Sequence, residues 1–176
     1  MKKMVLAAMI ALTGVAAMAS TNGYFQFAVF APGQLPSSAT YLYGLRLSLI
    51  YGDCQTLTGL DVSLAGRVRE RMRGLQLGLY HRVGTDAKGV ECGLWNRVDS
   101  DMTGVQLGVA NTAGGPADGV QVGIFNTAET LTGVQLGLVN IAQRVFGVQL
   151  GLINRIETQM LGDWQVWFTP FINAGW

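Results

Sequence analysis

Apolar and polar positions alternate in a short unit that recurs along most of the chain. Its clearest copies are Gly104-Val-Gln-Leu-Gly-Val-Ala-Asn111, Gly119-Val-Gln-Val-Gly-Ile-Phe-Asn126, Gly133-Val-Gln-Leu-Gly-Leu-Val-Asn140 and Gly147-Val-Gln-Leu-Gly-Leu-Ile-Asn154. Looser copies begin at Gly74 and Gly89, and degenerate ones at Gly44 (GLRLSLIYG) and Gly59 (GLDVSLAG). The eight starts are separated by 15, 15, 15, 15, 15, 14 and 14 residues. Within a unit, Val134, Leu136 and Leu138 fall on one side, and Gln135, Gly137 and Val139 on the other. A period of two predicts strand, and two glycines per unit argue against helix.

One strand per 14–15 residues fits either a β-solenoid or an outer-membrane β-barrel of roughly ten strands. A barrel alternates short turns with long loops. The linkers Arg97–Thr103, Thr112–Asp118 and Thr127–Thr132 are instead alike in length and in their starts. Three alternating apolar residues span only about 13–17 Å, against a lipid-facing band about 25 Å tall. The expected fold is therefore all-β: a solenoid of about eight coils with capping end segments, the barrel being the alternative. The barrel alternative draws support from Tyr24–Phe30 and Trp164–Phe171, which read as two further strands and would make ten.

In such a stack the Val, Leu and Leu columns are expected to form the core. The Asn column (Asn96, Asn111, Asn126, Asn140, Asn154) has the same parity and is expected inside, bonded rung to rung. So are the small or aliphatic residues two places on: Val98, Ala113, Ala128, Ala142 and Ile156. The Gln column (Gln76, Gln106, Gln121, Gln135, Gln149) and its neighbouring glycines are expected outside. Beside them runs the stripe Tyr80, Trp95, Ala110, Phe125, Val139 and Ile153. Gln106, Gln121, Gln135 and Gln149 with Tyr80, Trp95 and Phe125 form the candidate contact face, suited to a protein or a glycan.

Residues 1–19 read as a secretory signal: Lys2 and Lys3, an apolar run, then Ala17-Met18-Ala19 before Ser20. Residues 20–176 form one domain, divided into a lead-in (20–43), the repeats (44–161) and an aromatic segment (162–176). The formal charge is +1, and −1 once Lys2 and Lys3 are removed. Such a balance gives no pull toward nucleic acid. Arg67, Arg69, Arg71 and Arg73 form the one charge cluster, a candidate polyanion site on one face of an extended segment.

The G-V-Q-L-G-L-x-N units resemble the surface-repeat proteins of Gram-negative and spirochaete-type bacteria. The lead-in Phe25–Pro36 with Tyr43–Gly52, and the closing Phe168–Trp176, are similar to the ends of those proteins. The resemblance implies export and an envelope or surface role; the expected location is the periplasm, the outer membrane or the cell surface, with outer-membrane association one of the options. It carries over no catalytic, cofactor or metal residues. The chain departs from the pattern at Cys92, at His81 and in the Arg-rich linker before Gly74.

The chemistry of an enzyme is missing. His81 occupies an Asn slot and has no His partner, no Cys-x-x-Cys occurs, and Ser63 lacks a nucleophile-elbow context. The expectation is a protein that is not an enzyme, with no cofactor and no metal. Cys92 is expected in the core and Cys54 in an exposed turn, too far apart in the stack to pair.

Overall fold

The computed structural model describes residues 22–30, 33–35, 41–160 and 163–175. The segment 1–19, expected to be a secretory signal, lies outside these residues. So do parts of the lead-in and of the closing aromatic segment.

Among the described residues all the regular elements are strands: β1 (Asn22–Phe30), β2 (Gly33–Leu35), β3 (Tyr41–Cys54), β4 (Thr56–Val68), β5 (Met72–Val83), β6 (Ala87–Cys92), β7 (Trp95–Val98), β8 (Met102–Leu107), β9 (Ala110–Ala113), β10 (Pro116–Val122), β11 (Phe125–Leu136), β12 (Val139–Met160) and β13 (Asp163–Gly175). From β3 to β12 every pairing is parallel, and the repeats lie in register. Gly104 pairs with Gly89 and Gly119, Gln121 with Gln106 and Gln135, and Asn126 with Asn111 and Asn140. One strand pairing only with its own counterpart in the next repeat is a solenoid. In a barrel, successive strands would run antiparallel. The solenoid expectation holds, and the barrel alternative is set aside.

Both ends reverse direction. β2 runs antiparallel to β1, and β13 runs antiparallel to β12. An antiparallel last strand stops the parallel stack from offering the same edge to a further coil.

The first glycine of each unit is required by backbone geometry. All eight have positive φ, between 128° and 156°. A Cβ at Gly119 would collide with the carbonyl of Gly104 in the coil beneath, and the other seven meet the same obstacle one coil back.

Each coil has two straight sides joined by a corner. In the Gly104 coil, Met102 and Gln106 point inward from one side and Asn111 and Ala113 from the other. Between them, Val109 faces outward and Ala110 is only half-buried. Two consecutive outward residues reverse the parity of the chain. This overturns half of the expected columns. Gln106, Gln121, Gln135 and Gln149 are wholly buried, whereas Leu107, Val109, Ile124, Leu138 and Leu152 are exposed. The apolar core is instead built from two columns next to the turns. One runs Leu42, Leu57, Met72, Ala87, Met102, Ala117, Leu131 and Val145, and the other Cys54, Val68, Val83, Val98, Ala113, Ala128 and Ala142, with Ile156 packed against it.

Candidate functional site

The interior between the two apolar columns is polar, and it is closed by hydrogen bonds between rungs. Gln121 Nε2 donates to Gln106 Oε1 at 2.8 Å, Gln135 to Gln121 at 2.7 Å and Gln149 to Gln135 at 2.7 Å. Asn173 of the capping strand donates to Gln149 at 2.8 Å. Opposite them, Asn96, Asn111, Asn126 and Asn140 each donate to the Asn above at 2.8–2.9 Å. Their second N–H goes to the carbonyl of Leu107, Val122, Leu136 or Leu150 at the corner of the next coil. A primary amide has donors and an acceptor, so it can repeat up a stack and leave no buried group unpaired.

The Gln ladder stops at Glu91. Gln106 donates to Glu91 Oε2 at 2.6 Å. One rung further down, Gln76 spends its N–H on Asp61, at 2.9 Å. Gln76 Oε1 and Glu91 Oε1 are therefore stacked on neighbouring rungs, both buried and both without a hydrogen-bond partner. A proton on Glu91 would give the pair the donor that two bare acceptors lack. Burial pushes the Glu91 pKa up to about 7, against the pull of the Gln106 bond.

In the two lowest full coils an ion pair replaces the amides. Arg46 and Asp61 occupy the Gln column and form a fully buried, bidentate pair. Arg46 also donates to Cys54 Sγ at 3.1 Å and to the Arg67 carbonyl at 3.0 Å. Burial opposes the Arg46 charge, but the surrounding acidic groups outweigh it, and its pKa lies above the ordinary value. The Asn column is empty here. Gly52 and Gly66 take its place, and a Cβ on Gly66 would stand 2.7 Å from Asp61 Oδ2 and 2.8 Å from Arg46 Nη2. Ser48 and Ser63 stand where the upper coils have the unit's second glycine, so volume is moved from one wall to the other.

His81 ends the Asn ladder. Its Nδ1 lies 3.0 Å from Asn96 Oδ1. The Asn96 amide already donates to Asn111 and Leu107, so this oxygen accepts and His81 Nδ1 is the donor. Burial lowers its pKa, which favours the neutral ring, and Nε2 is buried as well.

The thiols are the reverse of expectation: Cys92 because of the parity change, and Cys54 because one extra residue between Ser48 and Tyr51 brings it into line with Val68. Cys54 is buried in an apolar column, its pKa pushed up to about 11 chiefly by burial. Cys92 stacks between Leu77 and Leu107 on the outer surface and is half-exposed. Both thiols are free. Among the described residues no group of three or more His, Cys, Asp or Glu side chains is placed to hold a metal.

The outer surface is sharply divided. The side and corner of each coil that follow the first glycine carry four outward columns. In the Gly119 coil these are Val120, Val122, Ile124 and Phe125; in the Gly89 coil, Val90, Cys92, Leu94 and Trp95. Over all eight coils these columns hold no Asp, Glu, Lys, Arg, Ser, Thr, Asn or Gln. Of the candidate contact face, Tyr80, Trp95 and Phe125 belong to this flank and are exposed, and Tyr80 and Trp95 pack as a tilted aromatic pair. Gln106, Gln121, Gln135 and Gln149 do not belong to it, being interior. Sequence reasoning placed the Leu columns in the core and so missed that they dominate this surface. Their freedom from any polar interruption was the available signal.

The four arginines all reach the surface but do not act together. Arg69 is held by Asp53 through bonds of 2.6 and 3.0 Å. Arg67 projects from β4, while Arg71 and Arg73 line a recess beyond the turn. No family model, no curated protein and no solved structure matches this chain.

Proposed function

We propose that this protein is a non-enzymatic scaffold of the cell envelope whose apolar flank rests on the lipid of a membrane surface. The observation that carries this reading is the composition of the flank. Eight rungs at about 4.8 Å and five residues at about 3.3 Å give a projected area of roughly 600 Å². That is already the upper end of the largest patch on an ordinary monomer, about 300–600 Å². A protein partner would ask for about one hydrogen bond per 100–200 Å². The flank offers only the hydroxyls of Tyr51 and Tyr80, the indole of Trp95 and one thiol. Hydrocarbon asks for none. The backbone is suited too, because the rung-to-rung ladders satisfy the strand amides that lipid would otherwise strand.

The margins agree with an interfacial position. Arg67, Arg82 and Arg97 project along one border of the flank and Arg73 and Lys88 along the other. Cations beside an apolar face, with Trp and Tyr near the boundary, match the chemistry of a membrane surface. A glycan-binding reading loses its polar half, since the Gln side chains that would meet sugar hydroxyls are buried. The signal at residues 1–19 and the resemblance to surface-repeat proteins support placement in the envelope.

Flotation with neutral phosphatidylcholine vesicles tests the reading. The protein should rise with the vesicles, and Ile124→Asp with Leu138→Asp should abolish this while leaving the circular dichroism spectrum unchanged. A wild-type protein that stays at the bottom of the gradient rules out lipid as the partner.

A further inference from the structure

At one border of the flank lies a recess of about 260 Å³, lined by Tyr41, Tyr43, Thr56, Thr58, Glu70, Arg71 and Arg73. The stacking explains the grouping. Tyr43, Thr58, Arg73 and Lys88 are successive rungs of the column just before the first glycine of each coil. Tyr41, Thr56 and Arg71 belong to the next outward column. The recess thus combines four hydroxyls, two guanidinium groups and the Glu70 carboxylate, and Lys88 stacks beside Arg73, so the cations outnumber the carboxylate.

The cations here are uncommitted. Arg46, Arg69, Arg82, Arg97, Arg144 and Arg155 all have carboxylate partners. Among the described residues no ion pair uses Arg71, Arg73 or Lys88. The nearby carboxylates are Glu70 and Asp86. Glu70 accepts a hydrogen bond from Gln55 at 2.8 Å. Asp86 lines a separate, smaller recess on the far side of Arg71 and Arg73, toward Lys88.

We propose that this recess binds the phosphomonoester headgroup of a membrane lipid whose acyl chains lie across the neighbouring apolar columns. A phosphomonoester carries about −1.5 to −2 charges near neutral pH and three acceptor oxygens. It therefore calls for more than one cation and for hydroxyl donors, as the recess supplies. Guanidinium groups match phosphate oxygens in pairs. Position selects a lipid over a soluble phosphate. The column of Tyr43, Thr58 and Arg73 is separated by a single glycine from Leu45, Leu60 and Leu75. A headgroup in the recess places its tails along those leucines and then along Leu47, Val62 and Leu77.

The proposal rests on the membrane reading, and the experiment separates the two. Vesicle affinity is measured for pure phosphatidylcholine, for the same lipid with 20 mol% phosphatidic acid, and with 20 mol% phosphatidylserine. Phosphatidic acid should tighten binding about tenfold and phosphatidylserine much less. Arg71→Gln with Arg73→Gln should remove the preference and keep the binding to pure phosphatidylcholine, and Arg144→Gln should change neither. Equal gains from both acidic lipids, or a preference that survives the double substitution, overturn the headgroup site. If no vesicle binds, the flank reading fails and the recess is judged on lipid-free protein. Phosphorus NMR line broadening of inorganic phosphate that disappears in the double variant upholds the phosphate site, and its absence from the wild type ends the proposal.

Discussion

The coils that begin at Gly104, Gly119, Gly133 and Gly147 fill their polar interior with amides, whereas those that begin at Gly44 and Gly59 fill it with an ion pair. The backbone stack is the same in both. In the upper region each Gln gives a hydrogen bond to the side chain below it in the column and takes one from the side chain above, so the column extends without changing character. In the lower region Asp61 takes bonds from Arg46 on one side and from Gln76 on the other, and gives none. A carboxylate in the column is a terminus. The comparison teaches that neutral amides propagate the stack and charged residues close it. Where the charge enters, the opposite wall must shrink, as Gly52 and Gly66 do.

Breaking the lower interior should have the largest effect. Arg46→Met strands a buried carboxylate at Asp61, and about 3–5 kcal/mol of stability should be lost in urea unfolding. Adding Asp61→Asn should recover much of this by returning the column to neutral. A cost below about 1 kcal/mol for Arg46→Met would show that the pair does not hold these coils.

Glu91 stands between the two regions and should make stability depend on pH. Its folded pKa is raised from 4.5 to about 7. Between those values the folded state holds a proton that the unfolded chain has released. The contribution is therefore complete below about pH 4.5 and is lost as pH rises through about 7. It amounts to something on the order of 3 kcal/mol. Thermal unfolding from pH 5 to pH 8 should show this decline in the wild type and a flatter profile in Glu91→Gln. An identical decline in both would mean that a group other than Glu91 causes it.

In the upper region Gln121→Ala leaves Gln106 Oε1 and Gln135 Nε2 without partners. The expected loss is about 2 kcal/mol by chemical denaturation. The smallest effect on folding belongs to the flank. Leu136→Asp should shift stability by no more than about 1 kcal/mol, because the side chain is on the outside, while weakening vesicle binding. If Leu136→Asp unfolds the protein and Gln121→Ala does not, the inward and outward columns are exchanged.

Those last two expectations reverse what the sequence alone suggests, and the reason is local. The spacing of the glycines carried the coil register without error, since a parallel in-register stack repeats its own period. Asn96, Asn111, Asn126, Asn140 and Val98 were legible as inward by position. The error came from reading Val134 through Asn140 as one straight strand. Leu138 and Val139 both face away from the interior at the corner, and parity before the corner is opposite to parity after it. The default that leucine lies inside and glutamine outside then chose the wrong face. Arg46 and Asp61 held the corrective signal: opposite charges on adjacent rungs of the Gln column, each followed by a glycine where the others have Asn or His. The role of Tyr80, Trp95 and Phe125 as surface residues was legible, but the extent of their flank was not, because it depends on that corner.

The change from 15-residue to 14-residue coils has one more consequence. Thr112 pairs with Thr127, fifteen residues on, and Pro116 with Thr130, fourteen on. The missing residue is therefore lost opposite Gly114 and Gly115, in the turn at the end of the coil away from the apolar corner. Chain length at that turn is uncoupled from the phase of the columns, much as a splice between exons can leave a reading frame intact. A peptide tag grafted between Gly114 and Gly115 should be carried without repacking the interior. On a protein lying on its flank, it would point into the water.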